Sequence, residues 1–220
     1  MQLFLDSAKI DEIAHALECW AVDGVTTNPR HVMASGKTVA KVLEEIAELT
    51  SSAAIPVSVE VNPHITDWKE IVAEGQRLAM LSPNFVIKVG VSEQGYRAIR
   101  ELASRDVATN ATLVFSVAQA WHAARCGATY VSPFLGWKEA HGDDASTLLA
   151  EVRDMLDNFD YPCQIIAAAV RSGRQIAQAA LAGAHCVTAG AAVWQESFRN
   201  PYTDMGEKVF QDAWDATPRD

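Results

Sequence analysis

The pentapeptide FVIKV, Phe85–Val89, is an apolar run broken by a single lysine. Side chains alternate along a strand, so Phe85, Ile87 and Val89 share one face while Val86 and Lys88 share the other. A strand that is apolar on both faces belongs in a parallel sheet covered by helices. Seven further runs of this kind occur at Gln2–Leu5, Gly24–Thr27, Pro56–Val61, Ala108–Phe115, Ala128–Phe134, Gln164–Val170 and His185–Ala189. Between them the apolar spacing changes to that of a helix. Ile10, Ile13, Ala14, Leu17 and Trp20 fall on one helical face, as do Trp68, Ile71, Val72, Leu78 and Ala79, and later Leu148, Leu149, Val152 and Met155. Gly24, Gly127 and Gly183 each sit just before a strand, where a helix has to stop. Eight β-then-α units without a low-complexity break predict an α/β fold, a single (β/α)8 TIM barrel over residues 1–220. A doubly wound open sheet is the alternative, and no GxGxxG fingerprint or Walker loop favours it. Met205, Val209, Phe210, Ala213 and Trp214 form a stripe that predicts an extra C-terminal helix over about 203–217. That helix either caps the barrel or docks on a neighbouring subunit.

Lys and Arg number 18 and Asp and Glu 28, a formal charge of −10. An acidic surface disfavours nucleic acid and anionic membranes as partners, while leaving room for a small anion in a locally basic pocket. The N-terminal MQLFLDSAKI has neither the apolar length nor the basic leader of a signal peptide. No apolar stretch approaches the roughly 20 residues needed to span a bilayer. Cys19, Cys126, Cys163 and Cys186 form no CxxC pair and are expected to be buried free thiols of a cytoplasmic protein. His141, Asp143 and Asp144 read as a polar loop, so no metal is expected.

The polar residues that interrupt the strands share one parity. Lys88 lies on the face of Val86, Ser58 and Glu60 oppose Val57 and Val59, and Asn28 follows on the face of Thr26. Asp6 ends the first strand, Asn110 and Thr112 share a face in the fifth, and Arg171 directly follows the seventh. All lie at or just past the C-terminal strand ends, where barrel enzymes assemble their sites. Taken singly, Asp6 or Asn28 is a common helix cap or turn former, and a strand glutamate commonly faces water. Lys88 is different. Burying its ammonium without a partner costs several kcal/mol and pushes its pKa down, and a neutral amine attacks carbonyls.

GVTTNP (Gly24–Pro29), the strand lysine in VIKV, NATLVFSVAQA (Asn110–Ala120), SPF (Ser132–Phe134) and AGAH (Ala182–His185) resemble the transaldolase/fructose-6-phosphate aldolase family, in the same order and across the whole chain. The resemblance implies a class I aldolase chemistry without a cofactor. Lys88 matches the Schiff-base lysine, Asp6 the base on the C4 hydroxyl, and Thr112 the threonine that holds a catalytic water. Asn28 matches an asparagine that binds substrate hydroxyls, and Asn110 one found in transaldolases. Glu60 and Phe134 stand where transaldolases have glutamate and phenylalanine and the aldolases have glutamine and tyrosine. At both positions the chain is similar to a transaldolase, with an aldolase-like lyase, cleaving a ketose to dihydroxyacetone and an aldehyde, as the alternative. The family also implies a homo-oligomer, in a decamer-like ring.

Trp137 stands where phosphate-using relatives have arginine, Ala169 where they have serine, and Gly90 where most have proline. Arg171 remains, with Arg174, Lys138 and Arg30 as further cations. Losing a guanidinium and a hydroxyl favours a monoanionic or uncharged tail over a phosphate dianion. TTNPRH (Thr26–His31), GWKE (Gly136–Glu139) and GDD (Gly142–Asp144) are similar to 6-deoxy-6-sulfofructose transaldolases. A sulfonate-bearing ketose donor and an aldehyde acceptor such as glyceraldehyde 3-phosphate are therefore the expected partners.

Overall fold

In the computed structural model, which describes residues 1–218, all eight apolar runs form strands that pair in chain order and close into a barrel. They are β1 (Gln2–Asp6), β2 (Gly24–Thr26), β3 (Val57–Glu60), β4 (Phe85–Gly90), β5 (Thr109–Val114), β6 (Tyr130–Pro133), β7 (Gln164–Val170) and β8 (Cys186–Ala189). Every pairing is parallel, and β8 pairs back onto β1, so no strand keeps an open edge. The open-sheet alternative is thereby excluded.

Around the barrel run α1 (Ile10–Cys19), α3 (Val39–Ser51), α4 (Trp68–Ala79), α5 (Glu93–Ala103), α6 (Val117–Arg125), α8 (Ser146–Asn158), α9 (Gly173–Leu181) and α10 (Ala191–Ser197). Two short helices, α2 (Pro29–Ala34) and α7 (Leu135–Ala140), lie inside β-to-α connections and are too brief to show an apolar period. The outward strand residues Val57, Ile87 and Ile165 pack with Ile46, Ile99, Leu102 and Leu149 of the helices into one buried layer. Inside the barrel a second, smaller cluster joins Phe4, Ile166 and Cys186, with Tyr130 packed against it. The rings of Phe4 and Tyr130 meet edge to face at 6.2 Å. From α10, the Trp194 indole donates to the Phe4 carbonyl at 3.1 Å and ties the last unit to the first strand.

Gly127 and Gly183 stop helices as expected, at φ 86° and 80°. Gly24 does not. It lies within β2, and the left-handed residue after α1 is Ala21, at φ 51°. What Gly24 provides is space, because a Cβ there would lie 2.5 Å from the Phe4 ring. Cysteine burial is also only half as expected: Cys163 and Cys186 are buried, whereas Cys126 is half-buried and Cys19 exposed, all four as free thiols. The last helix, α11 (Pro201–Ala216), starts at Pro201 with Asn200 as its cap. None of its residues is buried, and Met205, Val209, Phe210 and Trp214 are exposed, so it does not cap the barrel. No described helix is long and apolar enough to cross a membrane.

Substituting Gly24→Ala forces a methyl group into the Phe4 ring and is expected to lower stability by about 1–3 kcal/mol, the usual scale for overpacking. Chemical denaturation measures this, and combining the change with Phe4→Leu should recover part of the loss.

Candidate active site

Strand register brings the inward polar residues together. Asp6 pairs with Thr26, Glu60 with Lys88, and Lys88 with Asn110 on the other side. Lys88 is 4% exposed, and its amine has partners. Its Nζ lies 3.6 Å from Glu60 Oε2 and donates to the Thr27 carbonyl at 3.1 Å. Asp6 has a partner on each oxygen. Oδ1 accepts from the Thr26 hydroxyl at 2.7 Å, and Oδ2 lies 3.0 Å from His31 Nε2. Thr26 is itself held 2.7 Å from Thr188 on β8. Thr26 therefore supports Asp6 from a buried position.

These surroundings pull the two carboxyls apart. Burial pushes Asp6 up, but His31 by hydrogen bond and charge, the Lys88 ammonium and the Thr26 hydroxyl outweigh it, and Asp6 ends below the usual carboxylate range. Burial pushes Glu60 up as well. There Lys88 pulls it only part of the way back while the Asp6 charge adds to the rise, so the net shift is upward. A pair of neighbouring carboxyls displaced in opposite directions is the arrangement that supplies a base and an acid at one pH.

Asn110 is fully buried, and its amide donates to Ser58 at 3.0 Å while accepting from Ser132 at 2.7 Å. It links β3 to β6 through these two hydrogen bonds. Thr112 pairs with Gly90 at the end of β4, and its buried hydroxyl has no partner among the described residues. Thr109 shares that state on the opposite face of the strand. Asn28 caps α2, accepting from the amides of Arg30 at 2.9 Å and His31 at 3.1 Å. A cavity of about 640 Å³ reaches Glu60, Thr27 and Asn28 from the side of α2 and α4.

Two bulges shape the mouth. In β5 the residues from Ala111 to Val114 span only Val131 to Pro133 of β6, and in β7 those from Ala167 to Val170 span only Val187 to Ala189 of β8. The additional residue in each strand goes with a left-handed backbone at a non-glycine, Leu113 at φ 61° and Ala169 at φ 55°. One added residue reverses the parity that follows, so Phe115 and Arg171 turn toward the mouth. Each is then clamped in the same way. The Phe115 amide donates to Gln119 Oε1 at 2.8 Å and the Arg171 amide to Gln175 Oε1 at 2.6 Å. Ser116 and Ser172 cap the helices that carry those glutamines.

Phe115 packs with Phe134 and Trp137, their ring centroids 5.7–6.1 Å apart. Arg171 lies against Gly136, where a Cβ would meet its Nε at 3.0 Å, so the guanidinium is beside the aromatic cluster. Arg171 is exposed, as are Arg30 and Arg174 in the first turns of α2 and α9. Lys138 pairs with Asp143 at 3.1 Å, so part of HGDD is held in an ion pair. No group of three or more metal-ligating side chains is placed for a metal among the described residues.

Several site residues carry no clear mark in the sequence. Thr188 is a small polar residue of the kind that occurs in any strand, and nothing near Ser58 or Ser132 in the sequence points to their bonds with Asn110. Phe115 is hidden because a bulge breaks the period of two. His31 has the best signal. Pro29 fixes the start of α2, so His31 falls in its first turn, and helical side chains lean back toward the N-terminus and hence toward the barrel.

Comparison with known proteins agrees with this geometry. A family model described as Transaldolase/Fructose-6-phosphate aldolase matches residues 3–218. The 6-deoxy-6-sulfo-D-fructose transaldolase of Priestia megaterium is 50% identical over 218 residues, covering 99% of this chain and 96% of the relative. A probable transaldolase of Phenylobacterium zucineum is 41% identical over 217 residues, covering 99% and 98%, and one of Dictyoglomus turgidum is 37% identical over 219 residues, covering both chains fully. With its barrel, its inward lysine and full-length relatives all in agreement, this chain belongs to the transaldolase/fructose-6-phosphate aldolase family of enzymes.

Proposed function

We propose that this enzyme transfers a dihydroxyacetone unit from 6-deoxy-6-sulfofructose to an aldehyde such as glyceraldehyde 3-phosphate, through a Schiff base on Lys88. The observation that carries the chemistry is the buried lysine 3.6 Å from Glu60, in a barrel mouth where Asp6 also feels its charge and the two carboxyls shift in opposite directions. The Lys88 amine attacks the C2 carbonyl of the ketose. Glu60 gives a proton to the departing hydroxyl of the carbinolamine, water leaves, and an iminium forms. Asp6 then takes the C4 hydroxyl proton. The C3–C4 bond breaks, its electron pair passes into the iminium to give an enamine, and the C4 aldehyde departs. The acceptor aldehyde takes the enamine carbon by the reverse steps. Thr112 supports this reading, since a buried hydroxyl left unmatched costs about 1–3 kcal/mol and a water bridging to Glu60 satisfies it. Asn28 keeps its amide nitrogen for the hydroxyls of the donor.

The tail of the donor is assigned to Arg171 with Phe115, Phe134 and Trp137. A single guanidinium beside Gly136, next to a cluster of three aromatic rings, suits a sulfonate monoanion better than a phosphate dianion. Arg30 and Arg174 belong to the rim in this reading. The exposed apolar face of α11 is our candidate for contact between copies of the chain in a homo-oligomer.

Borohydride added during turnover with sulfofructose should leave a three-carbon adduct on Lys88, found by peptide mass, and label no other lysine. In Glu60→Gln that adduct should accumulate on the order of 10²-fold more slowly, the usual scale of general acid help. For the tail, Arg171→Ala should cost about 1.5–3 kcal/mol, tenfold or more in kcat/KM, with an anionic donor and far less with an uncharged one. Trp137→Arg should move preference toward fructose 6-phosphate. If the unmodified enzyme already prefers the phosphate, the tail assignment is wrong.

A further inference from the structure

Asp6 and Glu60 meet nearly the same surroundings. Their side chains are 19% and 15% exposed, both point into the barrel, and both feel the Lys88 ammonium. Burial opposes charge on each of them. At Glu60 the charged neighbours are Lys88 and Asp6. Asp6 faces Lys88 on β4 and Glu60 on β3, with the neutral Thr26 hydroxyl on β2. What sets Asp6 apart is α2, which brings His31 Nε2 to 3.0 Å from Oδ2.

We propose that His31 is a positioning residue for the cleavage step, holding the Asp6 carboxylate in place from α2 through its Nε2 at 3.0 Å. The proposal rests on the Schiff-base reading of Lys88. Its geometry is secured at both ends of the histidine. The backbone amide of His31 is held by Asn28 Oδ1 at 3.1 Å, and Pro29 fixes the start of the helix beneath it. At the carboxylate, His31 holds one oxygen and Thr26 the other, and Thr26 is fixed in turn by Thr188. With a donor on each oxygen, the carboxylate plane is fixed, and lone pairs are left to accept the proton of the reacting hydroxyl. His31 gives up no proton in the cleavage step. The C4 hydroxyl proton goes to Asp6, and the pair from C3–C4 goes to the enamine.

Without His31, Asp6 loses the hydrogen bond and the charge that most favour its ionised form, and its carboxyl holds its proton to higher pH. The base is then missing when the C3–C4 bond has to break, whereas Schiff-base formation, which uses Lys88 and Glu60, proceeds. Rapid quenching with borohydride separates the two steps, because a donor trapped before cleavage adds its full carbon chain to Lys88 and one trapped afterwards adds three carbons. In His31→Leu the trapped adduct should change from three carbons to the intact ketose, with cleavage slowed on the order of 10-fold to 10²-fold. The acid limb of kcat/KM should move to higher pH. His31→Gln, which keeps a donor for Oδ2, should recover most of the cleavage rate, and it is the variant to use if His31→Leu does not fold. Cleavage and an acid limb unchanged in His31→Leu overturn the proposal, as does a His31→Gln enzyme that cleaves as slowly as His31→Leu, or, if only His31→Gln folds, one that has lost most of its cleavage rate. If the unmodified enzyme forms no adduct on Lys88 at all, the Schiff-base reading itself has failed, and that outcome is distinct from the other three.

Discussion

The rest of the site is arranged around the burial of one ammonium group. Taking Lys88 out of water has an electrostatic cost that an apolar barrel could not offset, and the structure answers with Glu60 and the Thr27 carbonyl. Glu60 must then be buried too, which raises its hold on a proton, and a second carboxylate nearby raises it further. Asp6 escapes the same fate because it has donors of its own. The small polar residues below, Ser58, Asn110 and Ser132, complete their hydrogen bonds with one another, so strands β3, β5 and β6 are braced beneath the lysine.

The barrel divides its labour along its axis. Toward the N-terminal strand ends the interior is filled by Phe4, Tyr130, Ile166 and Cys186, and the space left by Gly24 is occupied by an aromatic ring. Toward the C-terminal ends the inward positions turn polar and then charged. Stability and chemistry are therefore carried by different layers, and a change in the upper layer need not disturb the packing below.

Much of this is legible in the amino-acid sequence. Eight apolar runs of strand length separated by helical periods leave few architectures, and all eight runs are strands of one closed sheet. The shared parity of Asp6, Glu60, Lys88 and Asn110 is equally visible, since side-chain alternation is the most regular property of a strand. What stays hidden does so for physical causes. A bulge breaks alternation without a marker when the left-handed residue is leucine or alanine instead of glycine, so the sequence does not reveal the orientation of Phe115. Asn110 falls on the expected face, but its hydrogen bonds depend on two serines from other strands. Gly24 reads as a helix stop because its other use, making room for Phe4, involves a residue 20 positions away. In α11 the apolar stripe is evident, while the surface that it would cover is not.

The two bulged strands flank β6 and end alike, each with a left-handed residue, a reversal of parity and a backbone amide gripped by the glutamine of a serine-capped helix. They form two sockets of one design, one loaded with a ring and the other with a cation. Because the sockets hold the main chain, what each presents can change by a single codon while the backbone around it stays in place. A barrel built this way can change the side chains at positions 115 and 171 with the lysine and its two carboxyls left untouched. The mouth can vary in charge and shape while the strands that carry the lysine keep their register.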